Sequence, residues 1–294
     1  MPIVEDGCIL AVGRRIRSTS TLTWCPPKIM QLPSTWRKAW HSWNPLSDQV
    51  LQHDLVVPGF ERLHEIEDSD RDFWSHSYPR NHNFVLGRNR LIPSRRLSDR
   101  LRQLTVHYPR SARSLVDLSC SKGYFVFHAR CQMGMERVLG IDIDRPTLEK
   151  CQLLNAHFGL RENTTFAESR LRELSHKAQA DQADFDVGLL VNTYQYLRLG
   201  SSLEPAAGNS HRELFYMLSQ VCRGRLIFHN RLEFTDLQDS VQQEASVEGS
   251  KDYHPGEILT AASEFFQVRK VGGSALRPIL LLDNRRGYTW REQV

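Results

Sequence analysis

The stretch "SLVDLSCSKGYFVFHARCQMGMERVLGIDID", residues 114 to 144, gathers Asp117, Ser119, Cys120, Ser121 and Gly123 into one turn and sets a further acid, Asp142, near its end. Small residues between a β-rich run and a helical one let backbone come close to a ligand, and glycine supplies φ > 0 where the turn needs it. A carboxylate at the end of the second β-rich run offers paired acceptors for neighbouring hydroxyls. The pattern is that of a cofactor-binding strand, turn, helix and second strand, with serine at two places where glycine is expected. Farther along, His229 follows another apolar run and is either a general base for a hydroxyl acceptor or a histidine capping a strand end. Tyr194 and Tyr196 point to the same side if the backbone there stays extended, and would then shape a pocket or move protons. The remaining histidines show no ligand spacing, so no metal is expected.

These groups need a scaffold, and the sequence from Pro93 onward supplies one. "PSRRLSDRLRQLTVHY" puts Leu97, Leu101 and Leu104 on one helical face with Ser94 as N-cap. Strand and helix signals then alternate: strands at 114–118, 137–144, "TTFAES", 185–192 and 223–230, and helices in "KGYFVFHARCQMG", "PTLEKCQLLNAHFGL", "HRELFYMLSQVC" and "HPGEILTAASEFF". The last two strands, "QVRKVG" and "RPILLLD", are too close in sequence to be parallel to each other. Continuous apolar strands between amphipathic helices predict a doubly wound, Rossmann-like α/β sheet of seven strands whose last strand is antiparallel, preceded by an N-terminal extension. In such sheets ligands sit beyond the carboxyl ends of the strands. The expected division is an N-terminal extension over 1–92, which would cap the substrate side if the sheet binds one, and the α/β domain over 93–294.

Composition narrows the rest. The chain has 294 residues, 40% hydrophobic and 24% charged, with a net charge of +4. No run of eighteen apolar residues occurs, and Arg14-Arg15 is followed by "IRSTSTLTW" rather than an apolar stretch, so a soluble cytoplasmic protein is expected. Six cysteines without a C-x-x-C pair read as thiols packed in the interior. Nine arginines and two acids lie between Arg71 and Arg110. They are read either as a solvated helix face or as an anion-binding face. "CILAVGRRI" reads as a strand, "STWRKAWHSW" as a short amphipathic helix with Trp36, Trp40 and Trp43 on one side, and the acidic "ERLHEIEDSDRD" as a solvated connector.

"DLSCSKG" resembles the first motif of the class I S-adenosylmethionine-dependent methyltransferases, D-x-G-x-G-x-G. Asp117, Cys120 and Gly123 match it, while Ser119 and Ser121 stand at its first two glycines. The resemblance runs over residues 95 to 286 and includes the antiparallel terminal hairpin. It implies S-adenosyl-L-methionine as cofactor, with Asp142 taking both ribose hydroxyls and Ile143 beside it. Glu168 and Ser169 would contact the adenine amino group, Asn192 to Tyr196 would lie at the mouth of the site, and Tyr124 would pack over the cofactor. Because this cofactor has no phosphate, bare glycine backbone at a helix N-terminus is less necessary than for a dinucleotide.

The function implied is methyl transfer to oxygen or nitrogen of a small-molecule acceptor, chiefly by holding nucleophile, methyl and sulfur in line. The arginines leave a phosphorylated small molecule or RNA open as acceptor, and the serine-bearing turn leaves open a methyltransferase-like protein without catalysis. No membrane partner is expected.

Overall fold

A main sheet of seven strands carries the fold, accompanied by a three-stranded sheet. The protein is seen in a computed structural model that describes residues 54–56, 66–87, 90–181 and 184–286, all within one compact unit, Ser42–Val294. The expectations for "CILAVGRRI" and "STWRKAWHSW" lie outside the described residues. Strands β1 (Leu55–Val56), β2 (Phe84–Leu86) and β3 (Arg90–Pro93) form the small antiparallel sheet in the order β1-β3-β2. The main sheet comprises β4 (Ser114–Asp117), β5 (Arg137–Asp142), β6 (Thr164–Glu168), β7 (Phe185–Val191), β8 (Cys222–His229), β9 (Phe266–Gly273) and β10 (Pro278–Asn284). Its order is β6-β5-β4-β7-β8-β10-β9, with β10 antiparallel to both neighbours and the others paired in parallel. The doubly wound sheet with its terminal hairpin is therefore as the residue pattern predicts.

Burial explains the order. Every residue of β4 and β7 is buried, as a central strand covered on both faces requires, whereas only Phe266 of edge strand β9 is. Around the sheet lie α1 (Asp68–His76), α2 (Arg95–Thr105), α3 (Tyr124–Cys131), α4 (Arg145–His157), α5 (Leu171–Asp181), α6 (Tyr194–Leu199), α7 (His211–Val221), α8 (Asp239–Glu244), α9 (Val247–Asp252) and α10 (Pro255–Phe265). Their ends follow local chemistry. Ser94 accepts from Leu97 N–H to start α2, and Leu97, Leu101 and Leu104 are fully buried beneath it. Ser210 and Glu213 close a capping box on α7. Gly134 and Gly159, with φ of 70° and 66°, end α3 and α4 as expected of C-terminal glycines.

Three elements depart from expectation. The acidic connector is in its second half helix α1, because Phe73 and Trp74 anchor it: Trp74 stacks on Phe84 with ring centroids 5.1 Å apart. Helix α5 was unforeseen, although Leu171, Leu174 and Ala178 share one buried face. Residues after Asn192 are helical rather than extended, which reorients both tyrosines there. The thiols of Cys120, Cys151 and Cys222 are buried and free, as read from the sequence.

Gly123 sits at the N-cap of α3 with φ 75°, and a Cβ there would lie 2.7 Å from the ring of Phe166 on β6. The sequence places a ligand against this glycine; a side chain here would meet the ring of a core aromatic residue. Gly123→Val combines left-handed strain of ~1–2 kcal/mol with overpacking of ~1–3 kcal/mol. The variant is expected to lose ~3 kcal/mol in urea unfolding, and an unchanged midpoint would contradict this packing.

Candidate functional site

A cleft of about 770 Å³ opens at the carboxyl ends of the main sheet. Its floor comes from the turn after β4 (Leu118, Ser119, Ser121), the end of β5 (Ile141 to Asp144), the start of the β6–α5 connection (Ser169, Arg170) and the β7–α6 junction (Val191, Asn192, Thr193). Tyr78, Asn81 and His82 line it from the segment between α1 and β2, and Arg277 from the β9–β10 turn.

Asp142 is the best-held acid in the cleft. Its Oδ2 accepts from Ser121 N–H at 2.8 Å, and its Oδ1 from Ile143 N–H at 2.8 Å and Asp144 N–H at 3.1 Å. Three of the ~four lone-pair directions of a carboxylate are thus used, and one on Oδ2 stays open toward a ligand. Burial raises its pKa, and the three amides only partly offset that rise. Asp117 lies deeper and does not line the cleft. Burial first, and then the charge of Asp142, lift its pKa to about 7 against the opposing Ser119 amide and Arg100.

The two serines behave differently. Ser121 has φ 47°, a conformation glycine would take without strain, and its amide is the one that holds Asp142. A non-glycine residue there costs on the order of 1 kcal/mol. Ser119 is absent from the positive-φ residues, and its hydroxyl bonds Thr193 Oγ1, bridging the turns after β4 and β7. Both serines face the cleft.

Of the residues expected to hold a cofactor, Ser119, Ser121, Asp142, Ile143, Ser169 and Asn192 line the cleft together. Asp117, Cys120, Gly123 and Glu168 do not. Cys120 is buried against Gly140, and Glu168 is exposed at the end of edge strand β6. Tyr124 turns toward the small sheet instead, where its hydroxyl donates to Leu91 O at 3.3 Å and its ring meets Phe84.

The tyrosine pair is separated by helix α6, because residues two apart on a helix are ~200° around its axis. Tyr194 is fully buried among Phe215, Phe228 and Tyr253, with its hydroxyl 2.6 Å from His211 Nδ1. Tyr196 faces the cleft, with its hydroxyl 3.4 Å from Gln238 Oε1. His229 does not line the cleft. Its Nδ1 lies 3.1 Å from the Pro278 carbonyl, which can only accept, so the proton is on Nδ1 and the lone pair on Nε2. Burial, then the charge of Arg277, hold its pKa near 4, so the ring is neutral at pH 7.

Several site residues had no motif to announce them. Lys122 is fully buried, and its amine donates to the carbonyls of Phe73 and Ser77 at 2.8 and 3.0 Å and to Asn83 Oδ1. Burial lowers its pKa to about 8. Asn230, also fully buried, accepts from the amides of Thr193 and Tyr194 and donates to Leu190 O, fixing the entry to α6. Its position directly after an apolar strand was the available signal. His82 Nε2 takes a hydrogen bond from Arg100 at 3.0 Å, so it carries the lone pair of a neutral ring.

No protein-family model matches the chain, and no curated protein matches it in sequence. Solved structures similar to it include the PH0226 protein from Pyrococcus horikoshii OT3, at 16% identity over 75% of this chain and 100% of that one, TM-score 0.48. The bifunctional kinase-methyltransferase WbdD is similar at 19% identity over 65% of this chain, TM-score 0.45, and this chain spans 40% of its length. An O-methyltransferase family protein from Burkholderia thailandensis is similar at 12% identity over 86% of this chain and 71% of that one, TM-score 0.44. These are partial likenesses at low identity. No described helix is long and apolar enough to cross a membrane.

The raised pKa of Asp117 has a sign that can be measured. Its neutral form is favoured by folding, so its contribution to stability is complete below pH ~4 and lost as pH climbs to about 7. Asp117→Asn keeps an acceptor for Ser119 N–H and removes the buried charge. The stability of Asp117→Asn relative to the parent is expected to rise by a few kcal/mol between pH 4 and 7, at ~1.4 kcal/mol per pKa unit, in urea melts at each pH. A difference that stays flat with pH would mean that Asp117 titrates normally.

Proposed function

We propose that the protein is a class I S-adenosylmethionine-dependent methyltransferase acting on oxygen or nitrogen of a small-molecule acceptor. The observation that carries this reading is Asp142, a carboxylate with one open lone pair at the end of β5, in a cleft beyond a sheet whose last strand is inserted antiparallel. The residues present fit the cofactor. Asp142 would take a ribose hydroxyl, Ile143 would pack beside it, and Ser169, buried and cleft-lining, would border the adenine. Ser119, Ser121 and Asn192 would border the methionine portion. Residues of the N-terminal extension, Tyr78, Asn81 and His82, would cap the acceptor side.

When bound, the cofactor supplies a methyl group on a positively charged sulfur, which takes the electron pair as the nucleophile bonds carbon. The chain contributes position and exclusion of water. No described imidazole lining the cleft has a free lone pair, since that of His82 is engaged by Arg100. Tyr194 is withdrawn into the core, and His229, with a pKa near 4, is a weak base. With no imidazole base in place, the acceptor's oxygen or nitrogen would attack through its own lone pair and release its proton to water, and Tyr196 would orient it.

A second reading, a methyltransferase-like protein without catalysis, is favoured by one contact: the Ser119–Thr193 bond closes the turn where the family has glycine. Calorimetric titration with S-adenosylhomocysteine separates the two. The parent chain is expected to bind, and Asp142→Ala to bind ~10- to 100-fold more weakly, the loss of one charge-assisted hydrogen bond. A thermal melt of the variant reports separately on the three amides left without an acceptor. Absence of binding by the parent chain would reject the methyltransferase reading, and unchanged affinity in a folded Asp142→Ala would move the ribose elsewhere.

A further inference from the structure

Arg277 lines the end of the cleft away from Asp142, with Arg100 within range of its charge, and the acid that Arg277 feels, Asp236, is already paired to Arg231 at 3.4 Å. Arg277, in the turn before β10, lines the cleft and is half-buried. One of its terminal nitrogens bonds Asn192 Oδ1, while its Nε is buried without a partner among the described residues. Arg100, on α2, gives its hydrogen bond to the neutral ring of His82. Neither arginine forms an ion pair with a described carboxylate, in contrast to Arg225 on β8, which is paired to Asp283 at 2.6 Å.

The two groups also feel each other. Burial, then the charge of Arg277, lower the pKa of Arg100 to about 10, and burial, then Arg231, lower that of Arg277. The acid within range of Arg100 is Asp117, which is buried beneath the cleft and itself pushed toward neutrality. Like charges held together at partial burial are costly unless an anion joins them, and the planar fork of a guanidinium matches a carboxylate or phosphate.

Position separates Arg277 from the acid that would hold the ribose, although its partner Asn192 would border the methionine portion of the cofactor. Arg277 reaches Asn192 at the end of β7, two strands from β5 and so ~10 Å across the sheet from Asp142. We propose that Arg277, backed by Arg100 through His82, forms an oxyanion subsite that holds a carboxylate or phosphate of the methyl acceptor. The proposal rests on the methyltransferase reading for the word acceptor, but the anion site itself does not.

Calorimetry with inorganic phosphate on the full chain, free and saturated with S-adenosylhomocysteine, tests it. Phosphate is expected to bind both forms, and Arg277→Gln and Arg100→Gln each to weaken it at least ~10-fold, with Arg277→Lys intermediate because it keeps charge without the fork. Affinity for S-adenosylhomocysteine should fall far less than affinity for phosphate. Thermal melts establish that each variant is folded, and Arg277→Lys serves if a glutamine variant is not. Phosphate binding that is absent, or indifferent to all three substitutions, overturns the subsite. Equal losses of phosphate and S-adenosylhomocysteine overturn it too, assigning the arginines to the cofactor's own carboxylate. If the parent binds phosphate through these arginines but not S-adenosylhomocysteine, the subsite stands and the methyltransferase reading fails alone.

Discussion

The buried amine of Lys122 is the contact on which the geometry of the cleft depends. An ammonium without water costs several kcal/mol unless its donors are met. Here they are met by two main-chain carbonyls and the Asn83 side chain, all from residues 73 to 83. With a pKa of about 8 the group is still mostly charged at pH 7, and its bonds are charge-assisted. The residue that supplies it lies inside the turn whose amide at Ser121 holds Asp142. One side chain therefore fixes the spacing between the N-terminal segment and the turn after β4. His82 and Tyr78 take their places on the cleft wall from that segment, and Lys150, paired to Asp70, fastens α1 from the other side.

A second constraint works at β7. Asn192 takes φ 59° and ends the strand, and Asn230 meets the amides of Thr193 and Tyr194 so that α6 can begin at once. This abrupt change from strand to helix sends Tyr194 inward and Tyr196 outward. The buried tyrosine then organises its own aromatic layer with His211 and Phe215, while the half-buried one meets Gln238. Core and site are thus divided by helical periodicity within three residues.

The sheet was legible because its information is local: continuous apolar runs, Ser94, Gly134 and Gly159 each signal an element through a few neighbouring residues. The floor of the cleft was legible for the same reason, since Ser119, Ser121, Asp142 and Asn192 all follow strands directly. What was not legible depends on distant partners. Nothing beside Gly123 in sequence announces Phe166 above it, and nothing near Lys122 announces the carbonyls of Phe73 and Ser77. Tyr194 was misplaced because an extended path and a helical one share the same residues and differ only in the cap that Asn230 provides. The arginine-rich stretch also divides on distant contacts. Arg71 bonds the carbonyls of Ile66 and Leu86, Arg90 pairs with Asp54 and Arg100 bonds His82, whereas Arg95 and Arg96 remain exposed on α2.

The charges lining the cleft follow from this division. Asp142 and Asp144 line it after β5, Arg170 and Arg172, bound to Glu204 and Asn209, after β6, and Arg231, paired to Asp236, with Arg277 toward β10. Each sign is partly shielded from water, so the field between the ends is stronger than the same charges would give on an open surface. A cationic group is favoured beside Asp142 and Asp144, and an anionic one beside Arg277. On the proposed reading, the sulfonium of the cofactor and the oxyanion of the acceptor are the matching pair. Their alignment would then come from strand order, which places the two ends on opposite sides of β4, rather than from any single catalytic side chain.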